Sequence, residues 1–134
     1  MENKYLFVCY ANKNRSIVGE QVFKEMLTER GFRVSGPENL LEWDYSVSSA
    51  GIKPEDKSKE FSVSMAEGVI NIFVADEYIK RLLKSEFNFE DDLRMVNLGI
   101  PDLYDITIDG KRRVLEEYMR VKLFPHLPRR QYFP

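Results

Sequence analysis

The segment KYLFVCYANKNRS, residues 4–16, decides how the rest of the chain folds. Residues 5–8 are four apolar residues in a row, a pattern typical of a strand buried on both faces of a parallel sheet. The run ends at Cys9, the only cysteine in the chain, and a polar loop then leads to Ser16, where helical periodicity begins. The segment therefore predicts a strand, a loop and a helix, with a thiol at the first junction and Arg15 at the second.

The predicted loop has the properties of an anion-binding site, because a helix N-terminus presents unpaired N–H groups and the positive end of the helix dipole. Arg15 adds a planar, two-pronged donor that fits phosphate oxygens. The same field favours the thiolate form of Cys9, which would make it a nucleophile beneath a bound phosphate. The predicted phosphate-binding loop consists of Tyr10, Ala11, Asn12, Lys13 and Asn14.

An ordinary structural role for Cys9 is the alternative. A lone cysteine at the end of an apolar strand is more often a small buried hydrophobic residue. An arginine six positions after a cysteine is also a weak signal by itself. Here the strand before the loop, Asn12 within it, Ser16 directly after Arg15 and the helical pattern beyond all agree, and their conjunction favours the nucleophile.

At residues 8–16 the sequence resembles the low-molecular-weight protein tyrosine phosphatase family, whose signature is an apolar strand, Val-Cys-x-x-Asn-x-x-Arg-Ser, and a helix. It resembles in particular a compact subgroup known mainly as predicted tyrosine phosphatases. The resemblance implies that Cys9 and Arg15 are catalytic and that Ser16 donates a hydrogen bond to the sulfur. It also implies that Ser49, which precedes Ala50 and Gly51, supports the loop by hydrogen bonds.

The proposed chemistry also requires a carboxylic acid, because hydrolysis through a cysteinyl-phosphate needs a proton donor for the departing oxygen and then a base for water. The candidates for this group lie late in the sequence. The family's Asp-Pro-Tyr motif resembles Asp102-Leu103-Tyr104, with leucine in place of proline. The resemblance implies that Asp102 is the general acid and that Tyr104 is an aromatic wall beside the substrate. Asp105 is the rival acid, and a solvated acidic turn is the alternative for both. The histidine with which the family commonly braces its loop has no counterpart near residues 54–67.

Strand-like and helix-like segments alternate along the chain. The predicted strands are residues 5–8, 46–51, 69–74 and 95–98, and the predicted helices are residues 17–30, 54–67, 77–84 and 110–124. This alternation predicts an α/β fold, a single-domain flavodoxin-like sandwich over residues 1–134 with a central four-stranded parallel sheet and helices on both faces. In such folds the site lies at the carboxyl ends of the strands, where Cys9 is expected.

Two predicted helices carry specific expectations about their buried faces. The first helix is expected to bury Val18, Val22, Phe23, Met26 and Leu27 and to end at Gly31. The last helix is expected to begin at an N-cap, Asp109, and to bury Val114, Leu115, Tyr118 and Val121.

Three further segments have no assigned chemistry. In the 36–47 insertion, a short helical turn is expected at residues 39–43, and Trp43 or Tyr45 would either wall a pocket or pack the insertion onto the body. His126, the only histidine, is interpreted as structural or surface. The basic tail, residues 129–134, is expected to be a loosely packed terminus, with attraction of an acidic partner as the alternative.

Composition excludes several classes of protein. With 134 residues, 43% of them hydrophobic, the chain can bury one core, and its net charge of −2 with interspersed signs implies no nucleic-acid or membrane surface. One cysteine excludes an internal disulfide framework and fits a reducing cytoplasm. No apolar run approaches the roughly 18 residues of a membrane span, and the N-terminus lacks the pattern of a signal peptide.

Three functional hypotheses follow. The first is a phosphatase that acts on phosphotyrosine-like substrates, a phosphorylated protein or a small aryl phosphate, and needs no metal or other cofactor. The second is an arsenate reductase, which would require an external thiol because Cys9 is alone. The third is a module that binds a phosphorylated partner or free phosphate without turnover; the missing histidine and the absent proline keep it open, whereas the trio Cys9, Arg15 and Asp102 argues against it.

Overall fold

The computed structural model describes residues 3–35 and 43–129. In chain order its helices and strands are β1 (Lys4–Cys9), α1 (Arg15–Glu29), β2 (Val34–Ser35), β3 (Tyr45–Gly51), β4 (Val69–Val74), α2 (Glu77–Phe87), β5 (Met95–Asn97) and α3 (Asp109–Leu123). Three short 3-10 turns complete the regular structure, at Lys57–Lys59, Val63–Ala66 and Phe124–His126.

The strands form one parallel sheet in the order β2-β3-β1-β4-β5. The predicted four-stranded parallel sheet is confirmed as β3-β1-β4-β5, and the two-residue strand β2 extends its edge. The strand β1 lies at the centre, hydrogen-bonded to β3 on one side and β4 on the other. This position explains why residues 5–8 are apolar without alternation, since both faces of a central parallel strand are buried.

Helices cover both faces of the sheet, as predicted. Tyr5 and Phe7 of β1 point to the face covered by α1 and α3, where Phe7 stacks on Phe73 with ring centroids 4.7 Å apart. Leu6 and Val8 point to the opposite face, which α2 and the 3-10 turns cover. Successive side chains of a strand alternate between faces, so a single apolar run supplies both halves of the core.

The helix α1 confirms its predicted apolar face. Its buried hydrophobic side chains are Val18, Val22, Phe23, Met26 and Leu27. Gly19 lies so close to the ring of Phe7 that a Cβ there would be 2.5 Å from a ring carbon. The helix ends at Glu29, and Gly31 follows shortly after it with a φ of 92°, in the left-handed region typical of helix ends.

The predicted helix over residues 54–67 is wrong. The segment forms only the 3-10 turns Lys57–Lys59 and Val63–Ala66. Asp56 accepts hydrogen bonds from the backbone and the hydroxyl of Ser58, which closes a local turn instead of continuing a helix. Between the turns, Phe61 inserts into the core beneath α2, a single anchor where an α-helix would need an apolar stripe.

The last helix lies where it was predicted, but it buries a different face from the one expected. Leu115, Met119 and Leu123 form its buried stripe, whereas Val114 and Val121 are exposed, contrary to the prediction. Asp109 is also not the N-cap but the first helical residue, after Ile108. A carboxylate there still lies in the first turn, where the helix dipole stabilises it.

The 36–47 insertion falls partly outside the described residues, so the predicted turn at residues 39–43 stays a prediction, as does the behaviour of the tail beyond residue 129. Tyr45 packs against Tyr5 and Phe32 at the amino end of β3, far along the strand from the end that Cys9 shares with Gly51. Its ring therefore packs onto the body of the protein and does not wall a pocket at that end.

His126 is a structural residue, as interpreted from the sequence. Its ring meets the ring of Phe73 edge-on, with the centroids 5.5 Å apart. Within residues 3–35 and 43–129, no helix has the length and apolar character needed to cross a membrane.

Candidate active site

The loop between β1 and α1 lies at the carboxyl edge of the sheet. Cys9 is the last residue of β1, and Arg15 is the first residue of α1. The chain runs from β1 to the β2-β3 side of the sheet and only later returns to form β4 and β5. Reversals of this kind open a crevice at the carboxyl ends of the strands, where ligands of α/β proteins bind.

Cys9 lies at the bottom of a cup of about 160 Å³, lined by Cys9, Tyr10, Ala11, Lys13, Asn14, Arg15 and Asp102. Cys9 is 4% exposed; it packs with the buried residues of the face that α2 covers, and it also lines this cup. Six of the seven lining residues come from the β1–α1 loop and its two ends, and the seventh comes from the loop after β5.

The sulfur of Cys9 lies within hydrogen-bond distance of the Ser16 hydroxyl, with Sγ and Oγ 2.9 Å apart. Asn12 Nδ2 donates a hydrogen bond to the same hydroxyl oxygen at 2.9 Å. Because that oxygen accepts from Asn12, its own proton is free to point at the sulfur. Asn12 and Ser16 thus form a chain of hydrogen bonds that ends at the sulfur of Cys9.

Asn12 bends the loop around the cup. Its φ of 54° lies in the left-handed region, which asparagine tolerates better than most residues other than glycine. The end of β3 supports this bend, since Ile52 N–H donates to the carbonyl of Cys9 at 3.1 Å and Lys53 N–H donates to that of Tyr10 at 2.8 Å. Gly51 lies against the loop, and a Cβ there would be 3.0 Å from the backbone of both Asn12 and Tyr10.

Asn14 links the phosphate loop to the loop that carries Asp102. Its side-chain oxygen accepts a hydrogen bond from Ile106 N–H at 3.1 Å instead of capping α1. The first turn of α1 has neither a capping side chain nor an acidic residue, so its N-terminal N–H groups are left for an anion. No pattern in the sequence predicts the contact between Asn14 and Ile106, which depends on tertiary structure.

Arg15 is 5% exposed and held by two acceptors on one nitrogen. Its Nη1 donates to Asp76 Oδ2 and to the carbonyl of Ile100, both at 2.7 Å. Its Nε lies 3.9 Å from Asp102 Oδ1, and neither Nε nor Nη2 makes a hydrogen bond within the described part of the chain. The fork of the guanidinium is therefore fixed on one side and available to an oxyanion on the other.

Asp76 is a site residue that sequence reasoning missed. It caps α2 by accepting a hydrogen bond from Ile79 N–H at 3.0 Å, while its second oxygen holds Arg15. The available signal was its position, since it follows the carboxyl end of β4 closely and so lies on the same edge as Cys9.

The two candidate acids have different surroundings. Asp102 lines the cup and its side chain is 66% exposed. Asp105 lies outside the cup lining, where one of its oxygens accepts hydrogen bonds from the hydroxyl and the N–H of Thr107, at 2.7 and 2.9 Å. These bonds hold the pKa of Asp105 below its ordinary value, so it is a committed acceptor that closes a turn.

Two residues that the resemblance implied are not brought to the cup. Ser49 pairs with Phe7 in the middle of the sheet, and its side chain makes no hydrogen bond to the loop in the ranges that the structure describes. The hydrogen bonds expected from Ser49 come instead from the backbone N–H groups of Ile52 and Lys53. Tyr104 packs against the core on the α1–α3 face, and the aromatic group that lines the cup is Tyr10.

Binding of a metal ion requires a suitable arrangement of acidic, histidine or cysteine side chains. Among the described residues, no group of three or more His, Cys, Asp or Glu side chains is arranged to hold a metal ion. The lining contains the guanidinium of Arg15 and the ammonium of Lys13, and the first turn of α1 has no capping side chain, a combination that suits an oxyanion.

Solved structures with this fold were found by comparison. A low molecular weight protein tyrosine phosphatase from T. tengcongensis matches with a TM-score of 0.69 at 18% identity, over 93% of this chain and 99% of that one. The arginine phosphatase YwlE, in a variant with a phosphorylated active-site serine, matches with a TM-score of 0.66 at 18% identity, over 95% and 98% of the two chains.

The tyrosine phosphatase Wzb from Escherichia coli K30, in complex with sulphate, matches with a TM-score of 0.65 at 16% identity, over 95% of this chain and 100% of that one. No protein-family model matches this sequence, and neither does any curated protein. The chain therefore has the fold of the low molecular weight protein tyrosine phosphatases, as the motif at residues 8–16 predicted.

Proposed function

We propose that this protein is a phosphatase that hydrolyses phosphotyrosine-like phosphomonoesters through a cysteinyl-phosphate intermediate. One observation carries the proposal: Cys9 Sγ forms the floor of a cup whose walls supply the guanidinium of Arg15 and the carboxylate of Asp102. Neighbours with this fold include enzymes described as tyrosine phosphatases and as an arginine phosphatase, which supports phosphoryl chemistry.

In the first step the thiolate of Cys9 attacks phosphorus and the bond from phosphorus to the leaving oxygen breaks. The loop N–H groups and Arg15 hold the three equatorial oxygens, whose charge is spread further in the transition state than in the substrate. Because Arg15 is already fixed by Asp76 and the Ile100 carbonyl, it needs no reorganisation as the charge develops. Asp102 donates its proton to the leaving oxygen as the bond breaks.

In the second step water attacks phosphorus, Asp102 takes a proton from that water, and the bond from phosphorus to sulfur breaks. The products are inorganic phosphate and the thiolate of Cys9, so the enzyme returns to its starting state. Ser16 donates a hydrogen bond to the departing sulfur, which makes the thiolate a better leaving group. Asn12 keeps that hydroxyl correctly oriented throughout the cycle.

The test is phosphate release from an aryl phosphate and from phosphoarginine by the wild-type protein and by Cys9→Ser. We expect the wild type to hydrolyse the aryl phosphate in the presence of a chelator. Cys9→Ser should lose turnover completely yet still bind inorganic phosphate in calorimetry, because the loop N–H groups and Arg15 remain.

Equal rates in the two proteins would overturn the proposed mechanism. Phosphate binding without any turnover by the wild type would instead support a non-catalytic phosphate-binding module. Hydrolysis of phosphoarginine alone would keep the mechanism and change the substrate class.

A further inference from the structure

A second charged feature lies at the mouth of the cup. The side chain of Lys13 lines the cup, and its Nζ is 2.7 Å from Glu55 Oε1. Lys13 belongs to the β1–α1 loop, whereas Glu55 belongs to the irregular segment after β3. The ion pair therefore joins two segments across the rim, and the mechanism above makes no use of it.

The ion pair between Lys13 and Glu55 is weak enough for Lys13 to exchange Glu55 for another carboxylate. The side chains of Lys13 and Glu55 are 56% and 82% exposed, and an ion pair in such surroundings contributes little to stability because water screens it. Each group favours the charged form of the other, since hydrogen bonding raises the pKa of Lys13 and lowers that of Glu55. Both are charged at neutral pH, and a second carboxylate can replace Glu55 at little cost.

The walls of the cup differ in charge. Lys13 contributes a positive group to the lining, whereas Asp102 contributes a negative one. Arg15 lies deeper and is committed to the phosphoryl group, so Lys13 is the cation of the lining that can contact a substrate beyond that group. Tyr10 and Leu103, both partly or largely exposed, add apolar surface beside these charges without favouring either sign.

On this basis, and resting on the proposed phosphatase function, we propose that Lys13 selects protein substrates with an acidic residue beside the phosphorylated tyrosine. Glu55 occupies the position of that substrate carboxylate before a substrate binds. Glu55 then competes with the substrate carboxylate for Lys13. This competition weakens the binding of acidic substrates more than that of neutral ones.

The test compares three phosphotyrosine peptides that differ only in having glutamate, glutamine or lysine beside the phosphotyrosine. For the wild type we expect kcat/KM to be highest with glutamate and lowest with lysine, with up to about fivefold between glutamate and glutamine, as one exposed charge pair can supply. In Lys13→Met the ratio of glutamate to glutamine should fall to about one. In Glu55→Gln it should rise, because the competing carboxylate is gone.

Lys80→Met is the control, because Lys80 also forms an ion pair that solvent reaches, 3.0 Å from Asp92, but lies outside the cup lining. Its peptide ratio should equal that of the wild type. Raising the salt concentration should reduce the ratio in the wild type and leave Lys13→Met unchanged, since exposed charges are screened.

Peptide binding to Cys9→Ser, measured by fluorescence anisotropy, separates this proposal from the proposed function. Hydrolysis of all three peptides with no preference, or a preference that survives in Lys13→Met, would overturn the role of Lys13 alone. Selective binding of the glutamate peptide without hydrolysis by the wild type would overturn the phosphatase and support the selectivity. The absence of both hydrolysis and selective binding would overturn both.

Discussion

Two aspartates three residues apart show how surroundings decide what a residue can do. Asp105 is committed to Thr107 in a closed turn, whereas Asp102 lines the cup above Cys9 and lies 3.9 Å from Arg15 Nε. The two have the same intrinsic chemistry, so the assignment of the acid rests on position alone. Exposure of Asp102 to both solvent and cup suits a group that first gives a proton and later takes one from water.

We therefore expect Asp102→Asn to lower kcat for a substrate with a poor leaving group by two or more orders of magnitude, the usual contribution of general acid catalysis. For an aryl phosphate whose leaving group needs no proton, the loss in kcat/KM, which reports the first step, should shrink, whereas kcat should stay low because the intermediate is hydrolysed slowly. Steady-state kinetics with a series of phenols as leaving groups makes the measurement.

Asp105→Asn is the control, and its rates should remain close to those of the wild type. The opposite result, with Asp105→Asn inactive and Asp102→Asn unaffected, would transfer the acid role to Asp105.

At the scale of elements, the phosphate loop depends on the strand beside it. The two residues after β3 donate backbone hydrogen bonds to Cys9 and Tyr10, and Gly51 lies so close to the loop that a Cβ would crowd it. At Gly51 a Cβ would be 3.0 Å from backbone atoms of Asn12 and Tyr10, which cannot move away as a flexible side chain would. The contact couples the geometry of the cup to the sheet.

The variant Gly51→Ala should accordingly displace the loop. We expect phosphate affinity and kcat/KM to fall by about tenfold or more, equivalent to about 1.4 kcal/mol. Phosphate titration calorimetry and thermal unfolding measure the effect on binding and on stability separately.

Gly110→Ala is the matched control, because a Cβ at Gly110 meets nothing within 4 Å and the residue lies in the first turn of α3. Alanine favours a helix over glycine by up to about 1 kcal/mol, so this variant should be as stable as the wild type or more so, with unchanged activity. An unchanged phosphate affinity in Gly51→Ala would show that the loop does not depend on β3.

At the scale of the whole molecule, local patterns predicted most of the sheet and the first helix, and tertiary contacts account for what was missed. The central strand and the buried face of α1 followed from an apolar run and a helical period, both of which are encoded in adjacent residues. Cys9 and Arg15 lie at the ends of β1 and α1 and Asp102 lies in the loop after β5, so the predicted elements were enough to name these three as candidates.

The errors have identifiable physical causes. Residues 54–67 begin like a helix but bury only Phe61 and Ala66, which do not form the apolar stripe of a helix. The sequence does not show which face of α3 is buried. Val114 and Val121 are apolar and at helical spacing, as are Leu115, Met119 and Leu123, but only the second set is buried. Asp76 is 61 positions from Arg15, and a pairing at that separation exists only once the sheet has formed.

Packing of the last turn onto the sheet predicts a pH dependence of stability. Burial against the core lowers the pKa of His126 below its ordinary value of 6.5. The unfolded chain therefore binds this proton more readily than the folded protein does. Its contribution to stability is fully present above pH 6.5 and is lost as the pH falls through the folded pKa.

Urea unfolding of the wild type and of His126→Gln between pH 7.5 and pH 5 tests this sign, since that range spans the unfolded pKa of about 6.5. We expect the difference in the free energy of unfolding between the two proteins to shrink as the pH falls. A difference that grows on acidification would show that the folded protein stabilises the charged imidazolium instead.

The central claim is that the sulfur of Cys9 receives the phosphoryl group. The most direct measurement is mass spectrometry of Asp102→Asn, quenched during turnover of an aryl phosphate whose leaving group needs no proton. This variant forms the intermediate but hydrolyses it slowly, so we predict a gain in the mass of one phosphoryl group, located on the peptide that contains Cys9. Sustained phosphate release with no phosphorylated Cys9 at any quench time would contradict the account.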